Sequence, residues 1–152
     1  MPTAYREDVF PGIAGLLGAA QLAPHQYIAI VDDDESVRRS LSRLLRESGF
    51  HPIAFASGED FLADPLHSHV DCLLADIRLQ AMTGIELHHK LTAEGSNTPV
   101  IYITAFDDPS AKSEAMRAGC AGFFRKTDPG AEIIEAIRRA ISPSRESPAQ
   151  RR

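Results

Sequence analysis

Short apolar runs that end in an acid or a turn residue alternate along this chain with stretches whose apolar residues recur at helical spacing. Tyr27–Val31 is apolar and β-branched and stops abruptly at Asp32, Asp33 and Asp34, which reads as a buried strand running into a loop. Val37, Leu41, Leu44 and Leu45 then fall at i, i+4, i+7 and i+8, predicting an amphipathic helix that ends at Gly49. The unit repeats. Residues 52–56 read as a second strand, and Ser57 with Asp60 three positions on reads as a capped start for a short helix through Phe61 and Leu62. Residues 71–75 form a third apolar run, again ending in an acid, Asp76. The loop after it reaches Gly84 and a helix carrying Leu87 and Leu91 on one face.

Residues 99–103 predict the fourth strand, followed by a helix with Asp108 as N-cap and Pro109 in its first position. Residues 121–124 predict the fifth strand. A last helix opens at Asp128-Pro129 and buries Ile133, Ile134, Ile137 and Ile141. Strands that are continuously apolar are covered on both faces, and five of them alternating with five helices specify an α/β fold with a parallel, doubly wound sheet. The flavodoxin-like strand order 2-1-3-4-5 is the natural arrangement. Its topological switch point lies between strands 1 and 3, so ligands are expected at the carboxyl ends of those strands, where Asp32, Asp33, Asp34 and Asp76 stand.

Length and composition narrow the picture further. The 152 residues suit one domain with tails. We read residues 27–142 as that domain, residues 1–26 as a flexible extension or weak docking segment, and residues 143–152 as a disordered Pro, Ser and Arg tail. Residues 9–23 are apolar, but Glu7 and Asp8 oppose the lone Arg6 and Pro11, Gly12 and Gly15 interrupt the run, which argues against a signal peptide. No window approaches the roughly 20 apolar residues of a membrane span. A net charge of -5 argues against a nucleic-acid surface. The two cysteines, Cys72 and Cys120, lie two inter-strand spacings apart in the expected order, roughly 10 Å and too far for a disulfide, and their scarcity suits a cytoplasmic location. His67, His69, His88 and His89 lack a matching ligand cluster and read as solvated loop and helix-surface residues.

Several carboxylates in one strand-end crevice repel each other unless a cation neutralises them. Mg2+ is the natural candidate, because it takes oxygen ligands and binds through one or two carboxylates plus a phosphate oxygen. Asp76 is then available as a nucleophile towards a phosphoryl donor. At the ends of strands 4 and 5 stand Thr104, whose hydroxyl can donate to a phosphoryl oxygen, and Lys126, whose ammonium can pair with it. Taken alone, Asp32, Asp33 and Asp34 could be no more than an N-cap cluster, Thr104 a strand end and Lys126 a surface charge; it is their joint placement that points to phosphoryl chemistry.

With these residues in place, 27–142 resembles the receiver domains of bacterial two-component response regulators. Asp32 and Asp33 after Ile30-Val31 are similar to the family's acidic pair, Asp76 to its phosphoacceptor, Gly84 to the glycine beyond it, and Thr104-Ala105 and Lys126 to its remaining signature residues. The phrase Val31-Asp32-Asp33-Asp34-Glu35 with Val37-Arg38 and Ser40-Leu41 looks most like regulators of the nitrogen-fixation and nodulation type. The resemblance implies that Asp33 ligates Mg2+ directly and Asp32 through water, with Asp76 and the backbone carbonyl of Arg78 completing the protein ligands. It makes Phe123 a candidate switch aromatic that follows Thr104, although an aromatic on a short strand is as readily core. It implies a histidine kinase or phosphotransfer protein as donor, and a homodimer or partner contact on the face of the fourth helix, fifth strand and fifth helix. The chain would then be no enzyme beyond its own phosphorylation and dephosphorylation.

Two departures bear on switching. Thr127 follows Lys126 where the family has a cis proline, so a trans bond and a shifted loop are expected. Gln80 stands where the family has proline, loosening the loop over the site. These raise a second reading, a receiver-like interaction module that works without phosphorylation. A third, more distant reading is a haloacid-dehalogenase-like phosphatase built on Asp32-x-Asp34, which leaves Asp76 without a role. No helix-turn-helix follows Ser142, so the chain reads as a single-domain regulator or the receiver portion of a longer one. Neither Arg78 nor Phe106 offers a carboxylate or amide to orient water, so slow self-dephosphorylation is expected.

Overall fold

The computed structural model describes residues 25–105 and 108–142. Phe106, all but the last two residues of the 1–26 segment, and the 143–152 tail lie outside the described residues. Five strands form one sheet: β1 (Tyr27–Val31), β2 (His51–Phe55), β3 (Cys72–Ala75), β4 (Val100–Thr104) and β5 (Gly122–Arg125). All four pairings are parallel, in the order β2-β1-β3-β4-β5. The helices are α1 (Glu35–Glu47), α2 (Gly58–Ala63), α3 (Gly84–Ala93), α4 (Pro109–Arg117) and α5 (Gly130–Ala140), with a 3-10 turn at Pro65–Ser68 that hydropathy alone does not announce. Among the described residues, no helix is long and apolar enough to cross a membrane.

Alternating side chains send the central strands' residues to two cores. Ala29, Val31, Leu73, Ala75 and Tyr102 pack with Phe61, Leu87, Leu91 and Ala115 from α2, α3 and α4. Ile28, Ile30, Leu74, Ile101 and Ile103 pack with Leu45 of α1 and Ile133, Ile134 and Ile137 of α5. Both cysteines are free; Cys72 belongs to the second core and Cys120 packs against the first, so the sheet separates them.

Cover on both faces holds for β1, β3 and β4 but not for the edge strands, since β2 and β5 are largely half-buried or exposed. The strand ends shift by a residue because pairing, not apolarity, sets them. His51 pairs with Tyr27 and Arg125 with Thr104, polar positions that a hydropathy reading drops. Ser57 and Asp108 cap α2 and α4 as expected. Asp128 does not cap α5; its carboxylate accepts from the Arg125 amide at 2.9 Å, and the helix starts at Gly130 without a side-chain cap.

The histidine expectation needs the largest correction. His88 is buried, and its Nδ1 lies 2.9 Å from the Tyr102 hydroxyl inside the first core. Burial, with the neighbouring His89, holds its pKa below the ordinary value. His67 is half-buried, with Nε2 3.1 Å from a Glu94 carboxylate oxygen and its ring against Phe61. His69 and His89 are exposed as expected.

Candidate functional site

The carboxyl ends of β1 and β3 lie side by side because the Asp76 amide donates to the Val31 carbonyl at 3.1 Å. That hydrogen bond fixes Asp76 beside Asp32 and Asp33. Asp32 and Asp76 are buried, Asp33 is exposed, and one carboxylate oxygen of each lies within 4.8 Å of the others. Opposite ligands of a Mg2+ ion stand about 4.2 Å apart, twice a Mg-O bond, so this oxygen-only set fits a small divalent cation with slight closure or a bridging water.

Lys126 completes the cluster from the end of β5. Its Nζ lies 2.9 Å from Asp32 Oδ2 and 2.8 Å from Asp76 Oδ2, bridging the two buried acids. Its own amide donates to the Thr104 carbonyl at 2.8 Å, so β4 sets the height of the ammonium. Thr104 itself is buried at the same strand end. The loops add backbone donors: Asp34 N–H to Asp32 Oδ1 at 2.9 Å and Arg78 N–H to Asp76 Oδ1 at 3.1 Å.

Three carboxylates face one ammonium, and the electrostatics reflect the imbalance. Burial raises the Asp32 pKa, helped by the Asp76 charge; the hydrogen bonds from the Asp34 amide and Lys126 oppose this but do not overcome it. For Lys126, burial acts to lower the pKa, yet the hydrogen bonds and charges of Asp76 and Asp32 outweigh it and the net shift is upward. The ammonium is shared between the two buried acids while burial still works against the Asp32 charge, the condition in which a further cation is favoured.

The sequence candidates divide accordingly. Asp32, Asp33, Asp76 and Lys126 converge, with Thr104 joined through its carbonyl. Asp34 turns away to cap α1, its Oδ1 accepting from Ser36 at 2.9 Å, so the second acid of the phosphatase-like Asp32-x-Asp34 is committed elsewhere. Phe123 sits half-buried on β5, paired with Tyr102, with ring centroids 6.4 Å apart and Lys112 Nζ 5.8 Å from its own centroid. Every described peptide bond is trans, Lys126–Thr127 included. Gln80 is exposed on the loop between β3 and α3.

That loop closes under tight constraint. Gly84 opens α3 with its amide on the Ile77 carbonyl at 3.0 Å, and its Cα faces the Asp76 carbonyl so closely that a Cβ would collide with it. Thr83 caps the helix in a reciprocal box with Glu86. Two contacts escape a reading of strand ends. Arg38 on α1 donates to the Asp32 carbonyl at 2.7 Å, and Asp108 both caps α4 and meets the Arg78 guanidinium at 3.4 Å. Arg38, four residues beyond the Asp34 cap, could have been found from helical spacing; the Arg78–Asp108 contact spans loops with no periodicity to announce it.

Comparison with known proteins agrees with this geometry. Residues 28–138 match the response regulator receiver domain family. The chain is 35% identical to the response regulator protein TodT of Pseudomonas putida over 126 residues, 82% of this chain and 56% of that protein. It is 40% identical to the transcriptional regulatory protein FixJ of Rhizobium meliloti over 113 residues, 74% of this chain and 55% of that protein. The chain therefore spans little more than half the length of these relatives. Among solved structures, that of FixJ-N superposes with a TM-score of 0.72 at 38% identity, covering 79% of this chain and 96% of that one. Parallel sheet order, clustered strand-end acids and these matches agree: the chain belongs to the response regulator receiver domain family of two-component systems.

Proposed function

We propose that Asp76 accepts a phosphoryl group from the phosphohistidine of a partner histidine kinase or phosphotransfer protein. A carboxylate oxygen of Asp76 bonds to phosphorus, the phosphorus–nitrogen bond breaks, and the imidazole leaves carrying its electron pair. The observation that carries the reading is Lys126 Nζ held 2.8 Å from Asp76 Oδ2 in a cluster with Asp32 and Asp33. An ammonium there can follow the charge onto a phosphoryl oxygen, and the Thr104 hydroxyl can donate to another. Asp33 directly, Asp32 through water, Asp76 and the Arg78 carbonyl would hold Mg2+, which supplies charge neutralisation for the transferring oxygens.

The domain, residues 27–142 in this reading, catalyses only its own phosphorylation and dephosphorylation. Self-dephosphorylation is slow, because the Arg78 side chain has no carboxylate or amide to orient a water; a phosphorylated lifetime of seconds contradicts this. We infer a cytoplasmic location from the two free thiols. Phosphorylation shifts a two-state equilibrium on the face of α4, β5 and α5, with Thr104 and Phe123 as switch residues, and changes dimer or partner affinity. Met116 on α4 is exposed on that face, a large apolar side chain suited to a contact. Light scattering of the protein with Mg2+, with and without acetyl phosphate, tests the output: a rise in mass that Asp76→Asn abolishes supports it. Unchanged mass and unchanged binding of the cognate kinase would favour the phosphorylation-independent module raised by Thr127 and Gln80.

A further inference from the structure

We propose that the Arg78 side chain carries the state of Asp76 to α4, by leaving Asp108 for a phosphoryl oxygen. The inference rests on Asp76 being the phosphoacceptor. Arg78 is anchored to the site through its backbone, since its amide donates to Asp76 Oδ1 at 3.1 Å. Its guanidinium instead reaches across to the loop before α4, with Nη2 3.4 Å from Asp108 Oδ2. The other oxygen of the same carboxylate, Oδ1, accepts from the amides of Ser110 at 3.0 Å and Ala111 at 3.4 Å and so caps α4. One carboxylate thus joins the first turn of α4 to a residue two positions beyond the phosphoacceptor.

The ion pair is built to be broken. It is long, and its side chains are 54% and 36% exposed, so it holds only weakly against water. A phosphoryl group on Asp76 brings a charge of about -1.5 to -2 and three acceptor oxygens, against a single negative charge on Asp108. Guanidinium also matches phosphoryl oxygens in a paired geometry that a point charge cannot copy. An arginine held by its backbone beside the acceptor has the side-chain length to exchange partners without moving the chain. When it does, Asp108 keeps its cap but loses its counter-charge, and the first turn of α4 is released from the loop that follows β3.

The test uses the whole chain with Mg2+ and beryllofluoride, a non-covalent phosphoryl mimic, and two charge-removing variants. Asp108→Asn keeps a good N-cap, and Arg78→Gln keeps a long polar side chain. Beryllofluoride affinity is expected to tighten about two- to fivefold in Asp108→Asn, because the guanidinium is no longer held away. It weakens roughly tenfold in Arg78→Gln, the loss of one charge-assisted contact. The tightening from Asp108→Asn disappears in the Arg78→Gln background, which a purely structural role for Asp108 does not require. Amide exchange at Ser110, Ala111 and Lys112 speeds up on beryllofluoride in the wild type and not in Arg78→Gln. If the wild type binds no beryllofluoride, the phosphoacceptor reading itself fails and this inference with it. If the wild type binds it but both variants bind and respond as the wild type does, only the role of Arg78 is overturned.

Discussion

Gly84→Ala concentrates the local physics of the site into one methyl group. A Cβ built on Gly84 would overlap the Asp76 carbonyl oxygen and lie 3.0 Å from the carbonyl carbon and 3.1 Å from Ile77 Cα. All three are backbone atoms, so no rotamer relieves the clash; either α3 moves outward or the strand end carrying Asp76 does. Overpacking in a core costs about 1 to 3 kcal/mol when side chains can adjust, and a backbone obstacle belongs at the upper end of that range. Alanine recovers up to about 1 kcal/mol of helix propensity. The net expectation is a loss of about 2 kcal/mol, or roughly 8 °C in Tm at about 4 °C per kcal/mol for a domain of this size. Thermal unfolding followed by far-UV circular dichroism reads it. Gly95→Ala is the control, because no atom lies within 4 Å of its Cβ and only its φ of +84° is unfavourable, costing about 1 kcal/mol. A Gly84→Ala protein melting within 2 °C of wild type, or no lower than the control, would refute the argument that the close approach is rigid.

Other outcomes follow from the charges and the core. Lys126→Met leaves Asp32 and Asp76 facing each other uncompensated and should cost about 2 to 3 kcal/mol by urea unfolding without metal, part of which Mg2+ restores; an unchanged midpoint would mean the bridge is not formed. Asp32→Asn should raise the melting temperature of the metal-free protein at neutral pH while weakening its stabilisation by Mg2+. The sign follows from the raised pKa of Asp32: its penalty is absent below the unfolded value of 3.8 and complete above the folded one, so the two proteins' melting temperatures should converge in acid. Lys126, also raised, stabilises the fold fully below its unfolded value of 10.5 and loses that contribution as pH rises through its folded value, a loss that Lys126→Met should lack. Tyr102→Phe strands the buried His88 Nδ1 without its hydroxyl partner and should cost about 1 to 3 kcal/mol, measurable by the same melts.

Much of this was legible in the sequence because burial on both faces writes itself as continuous apolar strands. Tyr27–Val31 and the runs before Asp76 and Thr104 could be read as central strands, and the strand order then put the acids together. Asp32, Asp76 and Lys126 were legible as strand-end residues for the same reason, since each follows directly on a strand, with Asp33 one position beyond Asp32. What escaped depends on partners distant in sequence. His88 looks like a surface helix residue until Tyr102, fourteen positions on, supplies the hydroxyl that makes its burial tolerable. Asp128-Pro129 reads as the start of the last helix, but the helix begins at Gly130, and the Asp128 carboxylate instead accepts from the Arg125 amide. The edge strands were misjudged in extent because His51 and Arg125 are held by backbone ladders that need no apolar side chain.

The central claim is that Asp76 is the residue that takes the phosphoryl group. Intact mass spectrometry after incubation with Mg2+ and acetyl phosphate, on the wild type and on Asp76→Asn, tests it most directly. The account predicts one phosphoryl adduct, labile to hydroxylamine and absent from the variant. An unmodified wild type that is folded and stabilised by Mg2+, or an adduct that persists in Asp76→Asn, would contradict it.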